Sequence, residues 1–342
     1  MKDDENFHGK MIHLTKHHGL GNDFLVLIDL EDRLHLSTDQ ISILCDRHMG
    51  VGADGLIRVL KGDGYSNRQV QGDSIEGGEA GQSTRVIEDA KVAMCLYNAD
   101  GKEAEISGNG LACLAQAVLD AGLVSPSEFL VTTAAGVRKV SAKPSDTPFE
   151  YRVKLQMGEV SLQDMPELVN PLGTALADQP DCIEILQFCR ADVGNPHLIA
   201  LTKDARGINL LSDTMIVLRL LDAKGIDRQV NLEFISIGEK SDEIEMKVFE
   251  RGVGESLACG TGSCAAAAAA HMWGHVGTDV VVNNPGGVLH VELTPLPSQG
   301  GATAARVFQA VLDTTAKKVA DIEVDPNALK RFGVRSFGQG VL

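Results

Sequence analysis

Two short stretches of this 342-residue chain carry the residues best suited to do chemistry. The first is 103-EAEISGNGLACLAQAVLDAGL-123 and the second is 255-ESLACGTGSCAAAAAAHMWGHV-276. Each passes from a small residue through Gly, Asn or Thr, and Gly to a nearby cysteine and an apolar helix. A helix N-terminus presents unpaired backbone N–H groups and a positive partial charge. Gly108 with Gly110, and Gly260 with Gly262, leave that backbone uncovered, so an anion can rest on the amides. Cys259 opens the second turn, and a thiol at a helix N-terminus is expected to ionise near neutrality. The first turn has Ser107 at the matching place. A carboxylate held between two such helix ends, with a proton-trading group on each side, describes proton exchange at an α-carbon. One group takes the proton from one face and the other returns one to the opposite face. That inverts a stereocentre without metal, pyridoxal or flavin.

The two turns need a frame to hold them. Apolar alternation predicts strands at Met11–Lys16, Phe24–Asp29, Leu56–Leu60 and Val92–Tyr97. Between the second and third, 37-STDQISILCDRH-48 reads as a helix opened by a capping box from Ser37 to Gln40. A helix from about Gly108 to Ala121 carries Leu111, Leu114, Ala115, Val118 and Leu119 on its apolar positions, with Gly122 suited to end it. Beyond Pro126 the pattern restarts. Strands are expected near Phe129–Thr133, Val137–Ala142, Tyr151–Gln156, Glu184–Ala191, Leu198–Leu201, Gln229–Ile237 and Glu243–Phe249, before an Ala-rich helix from Gly260. Further strands fall at Val288–Leu293, Val307–Leu312 and Val319–Val324, the last returning to the first half. Each half is therefore a set of strands, a Gly turn and an apolar helix, which is an internal duplication. Both helices are apolar nearly all round, so each is expected inside its own curved sheet. The expected division is a disordered extension at 1–10, a first half at 11–127 with a flexible loop at 61–90, a second half at 128–313, and a returning strand with tail at 314–342.

Composition narrows the classes. Apolar residues make up 44% and aromatics only 4%, so small aliphatic side chains must do most of the packing. A net charge of −16, from 47 acidic and 31 basic residues, argues against nucleic acid or an anionic membrane as partner. No apolar run is long enough to span a bilayer, and MKDDENFHGK lacks the apolar core of a signal peptide. The seven cysteines are odd in number and without CxxC spacing, which points to reduced thiols in the cytoplasm rather than disulfides or zinc. A homodimer is the default for a soluble enzyme.

Six ordered blocks then make a resemblance specific: 18-HGLGNDF-24, 46-DRHMGVGADGL-56, 98-NADGKEAEISGNG-110, 194-GNPH-197, 229-QVNLEF-234 and 249-FERGVGESLACGTG-262. From Met11 onward the chain resembles the diaminopimelate epimerase family. The resemblance implies an α/β (α+β) fold of two pseudo-symmetric domains. Each would be a curved mixed β-sheet or barrel around a central helix, with the active site in the interdomain cleft. It implies interconversion of LL- and meso-2,6-diaminopimelate with no cofactor and no metal, as a step toward lysine and peptidoglycan precursors. Cys259 would be one acid/base. Gly108, Asn109, Gly260 and Thr261 would hold the reacting α-carboxylate. Asn22, Asn98, Asn195 and Asn231 would fix the substrate's amino and carboxyl groups, and Glu250 with Arg251 would supply a charge pair. His197 would stand beside the reacting centre, orienting rather than abstracting.

The departures are as informative. The family expects cysteine where Ser107 stands, usually arginine where Cys95 and Ala112 stand, and in some members glutamine where Gly55 stands. A free thiol titrates near 8.5 and a hydroxyl nearer the ~15.7 of water, a gap of about seven units or roughly 10 kcal/mol in forming the anion. A helix N-terminus returns at most about 2 kcal/mol of that. Three readings follow: an epimerase in which Ser107 or a water serves one face slowly, a one-base relative such as a racemase or hydroxyproline-type dehydratase, or an amino-acid-binding variant. The retained asparagines and the Glu250–Arg251 pair favour the first.

Overall fold

The computed structural model describes residues 11–62, 91–125, 128–169, 183–251, 253–297 and 306–329. The expected extension at 1–10, almost all of the loop at 61–90 and the tail from 330 lie outside the described residues.

The first half contributes β1 (Ile12–Gly19), β2 (Asn22–Ile28), α1 (Thr38–Cys45), β3 (Gly55–Lys61), β4 (Val92–Asn98), β5 (Glu103–Ala104), α2 (Gly108–Asp120), β6 (Glu128–Thr133), β7 (Gly136–Pro144) and β8 (Glu150–Asp164). The second repeats the series as β9 (Ile185–Asp192), β10 (Pro196–Thr202), α3 (Leu210–Lys224), β11 (Asn231–Ile237), β12 (Glu243–Glu250), β13 (Gly254–Ser256), α4 (Gly260–Met272), β14 (Asp279–Asn284), β15 (Gly287–Pro295) and β16 (Arg306–Val324). The pairings repeat as well. β2 runs parallel to β3 as β10 does to β11, and β4 runs parallel to β6 as β12 does to β14.

Hydrogen bonding closes each half into a ring. One ring passes through β16, β1, β2, β3, β4, β6, β7 and β8, and the other through β8, β9, β10, β11, β12, β14, β15 and β16. The rings share a wall, the antiparallel pair of β8 and β16, paired from Arg306 opposite Leu162 to Lys317 opposite Glu150 with a register shift between Ala310 and Val311. Along its other edge β16 pairs with β15 through Phe308–Asp313 and then with β1 through Lys317–Val324. The two strands expected at Val307–Leu312 and Val319–Val324 are thus one strand. Its polar middle, 313-DTTAKK-318, hides that continuity because the wall presents different faces to the two halves. The expected break at 127–128 falls inside the first ring, since β6 and β7 pair with β4 and β8.

Each ring holds one helix. α2 packs against strands all round the first ring, and every residue from Gly108 to Val118 is buried. α4 does the same in the second, buried from Gly260 to Ala270. A closed ring of this size has room for little beyond its own side chains. The run Ala265–Ala270 supplies a helix thin enough to fit, at high helix propensity. Gly122, at φ +69°, closes α2 in the left-handed conformation that glycine adopts without strain. Outside the rings, α1 begins with the expected capping box: Gln40 N–H donates to Ser37 Oγ at 3.3 Å, and Ser37 N–H to Gln40 Oε1 at 2.9 Å.

α2 and α4 point their N-termini at each other through the shared wall. A Cβ on Gly260 would lie 3.0 Å from Gly108 Cα and 2.9 Å from Leu312 Cδ2, and one on Gly108 would lie 3.2 Å from Gly260 Cα. Neither helix can recede, because its ring grips it along its length. Gly260→Ala is therefore expected to lower stability by about 1–3 kcal/mol through overpacking. Urea unfolding checks this, and a midpoint equal to that of the unsubstituted protein would mean that the helix tips have slack.

Candidate active site

Ser107 and Cys259 are the N-caps of the two opposed helices. Ser107 adopts φ −138° and ψ 126°, and Gly110 N–H donates to its Oγ at 3.1 Å. Cys259 adopts φ −127° and ψ 116°, and Gly262 N–H donates to its Sγ at 3.4 Å. The sequence match between the two turns is thus a match of backbone and of hydrogen bond. A hydroxyl stands on one side of the junction where a thiol stands on the other.

A cleft opens at the junction. Asn22, Asn98, Ser107, Asn195, Asn231, Glu250 and Arg251 line it, drawn from both rings. Cys259, Thr261 and His197 stand behind this lining and are buried, with exposures of 5%, 2% and 0%. Asn109 is buried at the first helix tip, where its Nδ2 donates to Ala258 O at 3.1 Å and to Asn22 Oδ1 at 3.4 Å. That side chain joins the two halves. Asn231 Oδ1 accepts from Arg251 N–H at 2.9 Å and so fixes the turn that follows Glu250. Asn195 Nδ2 reaches Thr261 Oγ1 at 3.4 Å, and Thr261 Oγ1 lies 3.5 Å from Cys259 Sγ.

Two cleft acids, Asp54 and Glu105, and a buried one, Glu233, join the residues expected from the sequence. Asp54 accepts from Asn22 Nδ2 at 2.8 Å and is held in turn by Arg47 at 2.7 Å. Glu105, on the first half, accepts from Arg251 Nη2, on the second, at 3.4 Å. Glu233 is fully buried, and its Oε1 meets His197 Nδ1 at 2.7 Å. Its signal was available, since 230-VNLEFISI-237 sets a lone charge between Leu232 and Phe234. Gly55 also has an explanation here: a Cβ on it would lie 2.5 Å from Tyr97 O, so this backbone excludes any side chain. Nothing in the structure explains Cys95 and Ala112.

The electrostatics correct one expectation. Burial, followed by the charges of Glu250 and Glu233, pushes the Cys259 thiol well above its ordinary range. Hydrogen bonds from Thr261 and Gly262 pull the other way and do not overcome it. The helix N-terminus alone would have made a thiolate near neutrality, but desolvation and two carboxylates outweigh it. Burial likewise raises Glu250, and the hydrogen bond from Ser256 offsets part of that.

The two-ring fold is shared with known structures. It is similar to a probable proline racemase from Agrobacterium radiobacter solved with bound carbonate, with a TM-score of 0.60 at 16% identity over 93% of this chain and 95% of that one. It is also similar to a phenazine biosynthesis protein from Bacillus anthracis, with a TM-score of 0.58 at 16% identity over 92% and 99%. The class is thus a fold, with a helix at the centre of each half, that this chain shares with those two proteins. Within that class, the family model described as diaminopimelate epimerase matches residues 14–163 and 189–312. Curated diaminopimelate epimerases are similar as well: that of Rhodococcus jostii is 36% identical over 84% of this chain and 91% of its own length, and that of Synechocystis 33% over 81% and 90%. The chain belongs to the diaminopimelate epimerase family, and it is an isomerase.

A buried thiol held above its usual range ionises only as the pH climbs past the range of free cysteine. Iodoacetamide is expected to alkylate Cys259 more slowly than free cysteine at neutral pH, with the rate still rising where free cysteine has levelled. Peptide-resolved mass spectrometry reads this directly, and a rate already at its plateau near neutrality would contradict the assignment.

Proposed function

We propose that the chain interconverts LL- and meso-2,6-diaminopimelate by abstracting and returning the α-proton, in the cytoplasmic route to lysine and peptidoglycan precursors. The observation that carries this reading is the pair of matched N-caps, Ser107 and Cys259, on helices whose N-termini meet. A carboxylate at that meeting point lies against the amides of both helices, and the α-carbon beyond it is open to a capping group on each face. Gly108, Asn109, Gly260 and Thr261 hold the α-carboxylate. Asn22, Asn98, Asn195 and Asn231 bind the ammonium and carboxyl groups, a task suited to side chains that both donate and accept. Arg251 takes the distal carboxylate and Glu250 an ammonium.

The proton inventory is unequal. Cys259, as thiolate, takes the α-hydrogen from its face and becomes a thiol, leaving a carbanion whose charge spreads into the carboxylate between the helix ends. On the other face the proton comes from Ser107 or from a water that it orients. Donation to a carbanion is feasible for a hydroxyl, because the carbanion is the stronger base. The alkoxide or hydroxide left behind then recovers a proton from solvent. Abstraction from the Ser107 face is the hard direction, because a hydroxyl is a far weaker acid than a thiol and the hydrogen bond to its oxygen comes from Gly110 N–H, a donor that cannot take the serine proton. Turnover is therefore limited on that face.

Ser107→Cys is expected to raise kcat by about 10²–10⁴-fold, the usual contribution of a working acid/base. Cys259→Ala is expected to abolish both exchange and inversion. An unchanged rate in Ser107→Cys would remove position 107 from the chemistry. Covalent capture adds a check, since an aziridine analogue of diaminopimelate is expected to alkylate Cys259. Labelling of Cys45 or Cys113 instead would overturn the assignment.

A further inference from the structure

Behind the cleft a line of side chains runs from the thiol to a buried carboxylate. Cys259 Sγ lies 3.5 Å from Thr261 Oγ1, Thr261 Oγ1 3.4 Å from Asn195 Nδ2, Asn195 Oδ1 3.0 Å from His197 Nε2, and His197 Nδ1 2.7 Å from Glu233 Oε1. Glu233 ends the line. Its side chain is fully buried, and its Oε2 has no hydrogen-bond partner among the described residues. A buried carboxylate without a full set of partners is costly, and such a group calls for an explanation. Gly262 shows how close it comes to the helix tip, since a Cβ there would lie 2.5 Å from Glu233 Oε1. Any other residue at 262 would drive the carboxylate away.

The three links from Cys259 to His197 can each donate in either sense, and two arrangements satisfy all of them. In one, the Cys259 thiol donates to Thr261, the Thr261 hydroxyl to the Asn195 amide oxygen, and the Asn195 amide N–H to His197 Nε2. In the other, His197 Nε2–H donates to the amide oxygen, the amide N–H to Thr261, and the Thr261 hydroxyl to a Cys259 thiolate. The amide turns over between them. Both hold the same number of protons and differ only in whether the mobile one sits on Sγ or on Nε2. His197 Nδ1–H donates to Glu233 in both.

We propose that Glu233 is a positioning residue, which fixes the proton on His197 Nδ1, compensates the imidazolium of the second arrangement, and so favours the Cys259 thiolate through the Thr261–Asn195 bridge. This rests on the reading that Cys259 is the reactive group. The charges that act on the thiol are those of Glu250 on β12 and Glu233 on β11, and His197 on β10 acts in turn on Glu250. Glu250 shares a hydrogen bond with the Cys259 side chain and, as a charge, opposes its ionisation. Glu233 also opposes it as a bare charge, yet it supports ionisation through His197. The two actions have opposite signs, which makes the assignment testable.

The test follows iodoacetamide labelling of the Cys259 peptide by mass spectrometry from neutral to alkaline pH, in the unsubstituted protein, Glu233→Gln and Glu233→Asp. It needs no substrate, so it stands apart from the question of which amino acid is turned over, which diaminopimelate epimerisation assays answer separately. Glu233→Gln is expected to slow labelling near neutrality about tenfold and move its pH profile upward, as loss of an ion-pair partner does, while Glu233→Asp keeps most of the rate. Equal or faster labelling in Glu233→Gln would mean that the carboxylate acts only as a like charge, and would overturn the proposal. Should Glu233→Gln fail to fold, ¹⁵N spectra of the His197 ring in the unsubstituted protein decide. A neutral ring with its proton on Nδ1 supports the anchor, and one with its proton on Nε2 overturns it.

Discussion

Two helices meeting N-terminus to N-terminus set the terms for the rest of the molecule. Each end carries about half a positive charge, and two half-charges ~4 Å apart repel by about 1 kcal/mol at an effective dielectric near 20. The junction survives because each helix is enclosed by a ring of strands and because the rings share the β8–β16 wall, with Leu312 wedged between the tips. Glycine at 108 and 260 follows from the contact itself, since either Cβ would press on the opposite backbone. What results is a place where unpaired amides from two directions converge. A carboxylate there would relieve the repulsion and would meet amides from both sides, and the duplication of the chain is what makes the site two-sided.

Onto that symmetric frame the chain places unlike groups. The second half caps its helix with a thiol, sets the charges of Glu250 and Glu233 against it, and joins it to His197 through Thr261 and Asn195. The first half caps its helix with a hydroxyl whose hydrogen bond is to Gly110 N–H. Its acids, Asp54 and Glu105, face the cleft and bind Asn22 and Arg251 rather than the cap. On the proposed reading, the proton-trading groups are therefore concentrated on one side of the substrate. A buried thiol raised by its surroundings is a stronger base once ionised, which suits removal of a weakly acidic α-hydrogen. The opposing hydroxyl is far weaker as an acid than a thiol would be. The two faces should differ in rate even though their backbones are alike.

Much of this was written in the sequence in plain form. α2 and α4 were legible because both are apolar on every face and each begins at a Gly turn, and most strands followed from simple alternation. α3 was not. Its apolar residues include Leu211 and Met215, which are 66% and 44% exposed, so no clean stripe marks its buried side. Its counterpart in the first half, α1, announces itself with a capping box, and the duplication could have supplied the missing helix. β14 is hidden between the end of α4 and a turn at Pro285, although its counterpart in the first half, β6, is legible. The cleft asparagines could be named from their blocks, but their partners could not: Asp54 holds Asn22 from 32 residues away and Glu105 meets Arg251 across 146. The state of the thiol was beyond sequence altogether. It depends on how deeply the second ring buries Cys259 and on two carboxylates brought to it by separate strands.

The account turns on two faces served by unlike groups, and isotope exchange reads each face. LL-diaminopimelate would be incubated with the protein in heavy water while deuterium at the α-carbon and the meso isomer are followed together. The account predicts that both appear, with deuterium washed into the product of each inversion, and that Ser107→Cys accelerates them together. Deuterium entering without any meso isomer would show that Cys259 works alone and that the Ser107 face delivers no proton. That result would contradict the account.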